Sequence, residues 1–152
     1  MKRLFASFLA VLLLLTLFGC SEKKELAIDK LSEELLNGDV FAETLESVDL
    51  EILSYIYDVS DEDYEEAVVY CSSGSTSDEL AIFKAKDAQA AKRIAEATQQ
   101  RVEEQITSFK NYVPSAVPKL ERAYKTTYGN YVILCVSTDS DAAEAIIAKY
   151  VK

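Results

Sequence analysis

Apolar positions early in the chain recur every three or four residues, which predicts helices. Residues 26–36 carry such a stripe, and Asn37 with Gly38 supplies a common helix end. The same spacing continues through residues 41–48, where β-branched side chains leave the choice between helix and strand open. Asp49 stands where an N-cap belongs, so a short helix is predicted over residues 50–56.

Four later stretches predict β-strands because they are short and rich in β-branched or aromatic residues; three are apolar, and the third in the chain alternates only weakly. They are residues 67–71, 80–83, 122–128 and 131–136. The serine-rich loop 72–77 joins the first two, so we expect these strands to pair as a hairpin. Gly129-Asn130 is a two-residue hairpin turn between the last two strands.

Two further helices complete the pattern. Asp87 is placed to cap the longest one, predicted over residues 88–112, and Pro114 ends it because proline disfavours helix at the preceding residue. Asp139 or Ser140 caps the final helix. The inward stripe of the long helix is Ala91, Ala95, Thr98, Val102, Ile106 and Phe109, and that of the final helix is Ala143, Ile146, Ile147 and Tyr150.

The order of these elements defines the predicted fold class. Helices come first, and two ββα units follow them. Hairpins require antiparallel pairing, and the helices need a sheet face to cover. We therefore predict a single α+β domain over residues 26–152, in two layers, with a four-stranded antiparallel sheet and all helices on one face.

The first nineteen residues have the pattern of an export signal. A cationic start, Lys2 and Arg3, precedes an uncharged apolar run over residues 4–18, and charged residues begin directly after Cys20. The apolar run is shorter than the roughly 20 residues that a transmembrane helix needs. Residues 1–19 are therefore predicted to be a removable signal peptide.

The end of this signal resembles the bacterial lipobox, through Leu17, Phe18, Gly19 and Cys20. Phe18 departs from the small residue usual at its position. The resemblance implies that Cys20 receives a diacylglycerol and becomes the first residue of a lipoprotein. Two acyl chains give stable membrane attachment, with residues 20–25 as a short tether at the extracytoplasmic face. An ordinary secretory signal with an incidental cysteine is the alternative.

The net charge and the cysteines limit which binding partners and which cross-links we expect. Loss of Lys2 and Arg3 with the signal takes the net charge from −10 to −12, so nucleic acid is not an expected partner. An envelope protein or a small ligand is the expected one, besides the membrane. Cys71 and Cys135 are candidates for a disulfide, with two free buried thiols as the alternative.

Several chemistries lack their residues. The chain has no histidine, no CxxC motif and no glycine-rich phosphate loop. Asp61–Glu65 superficially resembles a calcium loop, but Glu66 stands where such a loop requires glycine, which favours a solvated acidic turn. We therefore assign no catalytic residue, no metal site and no cofactor.

One polar constellation is a candidate site. Glu79 opens the second predicted strand, and Arg101 and Gln105 share one face of the long helix because they are four residues apart. A planar guanidinium here suits recognition of a carboxylate ligand. The alternative is an ion pair that only ties the helix to the sheet.

Three blocks of sequence carry a family resemblance: residues 78–87; the helix end with Arg101, Gln105, Phe109, Tyr112 and Pro114; and Gly129-Asn130-Tyr131-Val132. Together they resemble the domain-of-unknown-function family numbered 4358, mostly lipoproteins of Gram-positive bacteria. The resemblance covers about residues 49–152. It implies a lipoprotein, and it implies no activity, cofactor or substrate.

The functional expectation is a membrane-anchored, non-catalytic interaction or binding domain. A small envelope enzyme that uses carboxylates alone, such as a glycan hydrolase, is the alternative, and it needs two suitably spaced carboxylates in a cleft. A receptor for a transporter is a third reading, but a domain of this length lacks the usual two lobes.

Overall fold

The computed structural model describes residues 25–152. The predicted signal peptide 1–19, the lipidation site Cys20 and the tether up to residue 24 lie outside the described residues. Among residues 25–152, no helix has both the length and the apolar character needed to cross a bilayer.

Five strands form one sheet in the spatial order β1-β2-β3-β5-β4, and every neighbouring pair is antiparallel. They are β1 (Glu46–Ser47), β2 (Tyr64–Cys71), β3 (Glu79–Ala85), β4 (Tyr124–Tyr128) and β5 (Tyr131–Val136). The two predicted hairpins, β2–β3 and β4–β5, are both present. Gly129 in the second has a φ of 62°, the left-handed conformation that this turn needs.

Helices connect and flank these strands. They are α1 (Ile28–Leu36), α2 (Leu53–Ile56), α3 (Ala88–Tyr112), α4 (Val117–Glu121) and α5 (Ser140–Ile147), with 3-10 helices at Leu50–Ile52 and Pro114–Ala116. The predicted caps are present, since Asp87 accepts hydrogen bonds from the backbone amides of Gln89 and Ala90, and Asp139 accepts one from Ala142. The α+β class and the long helix are as predicted.

The sheet is covered on both faces, so the predicted two-layer arrangement with helices on one face is wrong. On one face, α3 packs with α2 and α4 against alternate residues of the strands, among them Val69, Phe83 and Leu134. On the other face, α1 and α5 pack against the residues between, including Ile82 and Ile133. Two separate cores result, and the sheet is the middle of three layers.

The burial of β5 gives the physical reason. All six of its residues are buried, and β3 has only Lys84 partly exposed. A strand that is covered on one face alternates apolar and polar residues, whereas one that is covered on both is apolar throughout. The unbroken apolar run of β5 was therefore a signal for a second helical layer.

The sheet has five strands where four were predicted, because residues 41–48 form no helix. Val48 donates its backbone N–H to Val69 O at 2.8 Å, and Glu46 and Ser47 pair with the end of β2. A strand of two residues has no detectable period, so the short edge strand β1 was not predictable from spacing.

The stripe predicted for α3 is partly offset. Ala91, Thr98 and Val102 are buried as expected, and Ala95, Ile106 and Phe109 lie at the margin of the core. Ala90, Ile94 and Ala97 are also buried, so the inner face is wider near the N-terminus of the helix. The segment that follows the long helix is helical again, from Pro114 to Glu121.

The described chain begins beside one end of β3. Lys84, near the end of this strand, forms ion pairs with Glu25 at 3.0 Å and with Glu65 at 3.3 Å. Glu79 begins the strand at its other end. At about 3.4 Å per residue, five steps of strand separate Lys84 from Glu79 by about 17 Å.

Candidate functional site

Glu79 is a carboxylate buried at the start of an inner strand. Only 1% of its side chain is exposed. The alternation of β3 directs Glu79 to the same sheet face as Ala81 and Phe83, which is the face covered by α3. A buried carboxylate is costly unless donors surround it, so its partners define the local structure.

Three side chains donate hydrogen bonds to the Glu79 carboxylate. Arg101 donates from Nη2 to Oε2 at 2.9 Å and from Nε to both oxygens at 3.3 Å. Gln105, one turn further along α3, donates from Nε2 to Oε2 at 2.9 Å. Tyr57, just after α2, donates its hydroxyl to Oε1. The structure thus brings the three residues of the predicted polar constellation together and adds Tyr57.

Burial and hydrogen bonds hold Tyr57 neutral and Arg101 charged in this cluster. Burial, together with the neighbouring Glu79, raises the pKa of Tyr57 well above its ordinary value. The phenol therefore stays protonated and donates a hydrogen bond to Glu79. Burial opposes the charge of Arg101, but hydrogen bonds to Glu79 outweigh it and raise the pKa of the guanidinium. A neutral phenol and a charged guanidinium therefore contact the Glu79 side chain.

Asp78, the residue before Glu79, belongs to a second buried ion pair. Its carboxylate contacts the ammonium group of Lys119 on α4 and accepts a hydrogen bond from the backbone N–H of Ala42 at 2.6 Å. Its side chain is fully buried. Asp78 therefore fastens α4 and the segment before β1 to the start of β3.

The serine-rich loop between β2 and β3 is held by one carboxylate. Glu43 accepts hydrogen bonds from the hydroxyls of Thr76, Ser75 and Ser73 at 3.0, 3.0 and 3.1 Å. These hydroxyls, Thr76 first, lower the pKa of Glu43. Gly74 at the loop tip has a φ of +94°, which a residue with a side chain rarely adopts. The loop is thus fixed in position although its sequence suggests flexibility.

A polar cleft of about 330 Å³ opens between this loop and the C-terminal half of α3. The loop and the adjoining strands contribute Cys71, Ser72, Gly74, Thr76, Asp78 and Glu79, and α3 contributes Arg101, Glu104, Gln105, Ser108 and Phe109. The floor of the cleft is therefore the Glu79 network. We refer to it below as the Glu79 cleft.

Cys71 and Cys135 are both free thiols in the structure, the arrangement given above as the alternative to a disulfide. Leu80 of β3 pairs with Cys135 and lies beside Glu79, the partner of Cys71. One strand therefore separates the cysteines, about 10 Å at the spacing of sheet strands, beyond bridging range. Their side chains also belong to the cores on opposite faces.

The two thiols are also poor nucleophiles. Burial, with the Glu79 carboxylate nearby, raises the pKa of Cys71 to about 12. Burial raises the pKa of Cys135 to about 12 as well. Because the thiolate is the reactive form, Cys71 contributes a neutral thiol to the cleft wall.

Carboxylates of the acidic turn before β2 accept hydrogen bonds from other side chains of the protein. Asp63 accepts hydrogen bonds from Arg93, and Asp61 accepts one from the hydroxyl of Tyr64. In the part of the chain that the structure describes, no group of three or more acidic or cysteine side chains is placed to hold a metal ion.

Sequence reasoning missed Tyr57, Lys119 and Glu43. Arg101 and Gln105 were detectable because their spacing places them on one helix face. Tyr57 and Glu79 are 22 residues apart, and Lys119 and Asp78 are 41 apart. No periodic pattern links such pairs, so only the fold reveals them.

The fold and the cleft together define a small α+β domain with a polar cleft above a buried ion pair. The chain belongs to the family described as Domain of unknown function (DUF4358), whose family model matches residues 39–137. The match begins earlier and ends sooner than the resemblance to residues 49–152. It contains all five strands, α3 and the whole Glu79 cleft, and leaves out α1 and α5. No curated protein and no solved structure matches the chain.

Proposed function

We propose that this protein is a lipid-anchored binding protein of the extracytoplasmic membrane surface, which holds a small polar ligand in the Glu79 cleft without transforming it. Cys20 carries the diacylglyceryl group, and residues 20–25 are the tether. The proposal has an anchor part and a binding part, which rest on different observations.

The anchor part rests on sequence. The apolar run of residues 4–18 ends at the lipobox-like Leu17-Phe18-Gly19-Cys20, where the composition changes at once to charged residues. An acidic domain is repelled by anionic headgroups, so a covalent lipid is the means by which such a domain stays at the surface.

The binding part rests on one observation, the full occupancy of Glu79 inside the cleft. Its two oxygens accept hydrogen bonds from Tyr57, Arg101 and Gln105. A general acid must present a proton to the substrate, and a nucleophile must present a free lone pair. Glu79 has neither position open, so the cleft is equipped to recognise rather than to react.

A glycan hydrolase that uses two carboxylates is correspondingly disfavoured. Such an enzyme needs one carboxyl group as an acid and a second as a base or nucleophile. Asp78 is committed to Lys119 and to the Ala42 amide, and Glu79 to its three donors. Of the acids lining the cleft, only Glu104 remains outside these two ion pairs.

The anchor is tested by the Cys20→Ala variant of the full chain in a bacterial host, with Cys71→Ala as the matched control. We expect wild type and the control to fractionate with membranes and to carry a diacylglyceryl mass on Cys20 by mass spectrometry, and the Cys20→Ala chain to carry no lipid. If wild type carries no lipid and Cys20→Ala still remains in the membrane fraction, the proposal is wrong.

A further inference from the structure

Gln105 has an unmatched hydrogen-bonding atom at the Glu79 cleft. Its Nε2 donates to Glu79, which orients the amide, while its Oε1 is buried and has no partner among the described residues. Buried side-chain acceptors in folded proteins nearly always have a partner. A donor that enters the cleft beside Gln105 would satisfy this oxygen.

Arg101, which also lines the Glu79 cleft, has a donor that the ion pair does not use. Its Nε and Nη2 face Glu79, whereas Nη1 makes no hydrogen bond within residues 25–152. A guanidinium carries five N–H donors in a rigid fork that matches a carboxylate. About a quarter of this side chain is exposed, so a ligand can reach it.

The balance of charge decides what kind of ligand fits. The Glu79–Arg101 and Asp78–Lys119 pairs cancel internally, which leaves Glu104 as the one lining acid without a cationic partner in the described chain. A simple anion at Arg101 would meet Glu104 and a strongly acidic domain. A ligand with a positive group beside its carboxylate avoids this repulsion.

Spacing and volume limit the size of that ligand. Arg101 and Gln105 are neighbours on one helix face, with Cβ atoms about 5–6 Å apart, a distance that an ammonium and a carboxylate on one carbon can bridge. A volume of about 330 Å³ lies at the low end of ligand pockets, which run from about 300 Å³ upward. Phe109 offers an apolar wall for a side chain.

We propose that the Glu79 cleft binds a small zwitterion of the α-amino-acid class, with its carboxylate on Arg101 and its ammonium group on Gln105 Oε1 and Glu104. This inference rests on the binding part of the proposed function. It adds the chemical class of the ligand and the residues that select it.

The test is isothermal titration of the detergent-solubilised full chain with each common L-amino acid, and with acetate and methylammonium as the two halves of the zwitterion. We expect at least one amino acid to bind and both halves to bind far more weakly. Glu104→Gln should weaken amino-acid binding about tenfold or more, since it removes a charge-assisted hydrogen bond.

Glu103→Gln is the matched control, because Glu103 lies on the same helix but does not line the Glu79 cleft. It should leave the affinity unchanged. The ligand class is wrong if no amino acid binds, if methylammonium binds as tightly as the amino acids, or if both variants behave alike. The lipid mass at Cys20 is measured independently, so these results do not alter the outcome for the anchor.

Discussion

At the scale of single residues, the Glu79 network shows why a buried charge tolerates no loss of a partner. Assembling a buried ion pair from solvated groups gains little net stability, because desolvation offsets attraction. Removing one partner is different, since the other stays buried and uncompensated. Arg101, whose side chain is three-quarters buried, would be left in that state without Glu79.

Glu79→Gln should therefore destabilise the domain by about 2–4 kcal/mol, a value reduced from the full cost of a broken buried pair because Arg101 keeps some solvent contact. The matched control is Glu96→Gln, which breaks an exposed pair with Lys92 and should cost about 0–1 kcal/mol. Urea unfolding at constant m-value measures both. Equal losses of unfolding free energy in the two variants would show that the Glu79 ion pair contributes no more to stability than an exposed pair.

The thiol of Cys71 makes a prediction about pH. Because its pKa is raised to about 12, the thiolate is scarce at neutral pH and its fraction keeps rising up to that value. In a Cys135→Ser background, peptide mapping should show Cys71 alkylated at pH 8 about a hundredfold more slowly in the folded than in the unfolded chain.

The pH profile separates this cause from simple shielding. A raised pKa makes the alkylation rate climb with pH beyond the ordinary thiol range, for as long as the chain stays folded. A rate that levels off near pH 9 would mean that Cys71 ionises normally and is merely hidden.

At the scale of elements, the inner strand β5 is the clearest case of sequence pattern and burial in agreement. Its run of six apolar residues is fully buried, with Leu134 in the core under α3 and Ile133 in the core under α1 and α5. Substitutions at two adjacent residues of β5 therefore test the packing of two different helical layers.

Ile133→Ala and Leu134→Ala should each cost about 2–5 kcal/mol, because each opens a cavity in a closed core. In a two-layer domain only one of the two would be costly, since the other side chain would face solvent. Thermal and urea unfolding of the two variants compares them directly. A small loss for Ile133→Ala would contradict the second helical layer.

The elements that sequence predicted well are those with local signals. Asp87 and Pro114 delimit α3, and Gly129-Asn130 sets the last hairpin. The strand β1 was missed because two residues carry no period and its pairing with β2 is a contact across more than twenty residues. Local chemistry thus defines helices and hairpins, while edge pairing depends on the assembled sheet.

At the scale of the whole molecule, the number of layers depends on contacts between distant segments. α1 and α5 lie at opposite ends of the described chain, and Glu34 of α1 contacts Lys149 and Tyr150, which follow α5. No local pattern predicts that the first and last helices share a face. The candidate site divides in the same way, with Arg101 and Gln105 accessible to sequence reasoning and Tyr57 and Lys119 not.

In the proposed lipid-anchored state, the ion pair between Glu25 and Lys84 affects which end of the domain lies near the membrane. Between Cys20 and Glu25 an extended chain spans at most about 18 Å, and Glu25 lies at the end of β3 remote from Glu79. With the proposed lipid on Cys20, the Glu25 end of β3 is therefore held nearer the headgroups than the Glu79 end. In that proposed arrangement the Glu79 cleft lies at the end of β3 away from the tether, where solutes from the medium reach it without entering the lipid layer.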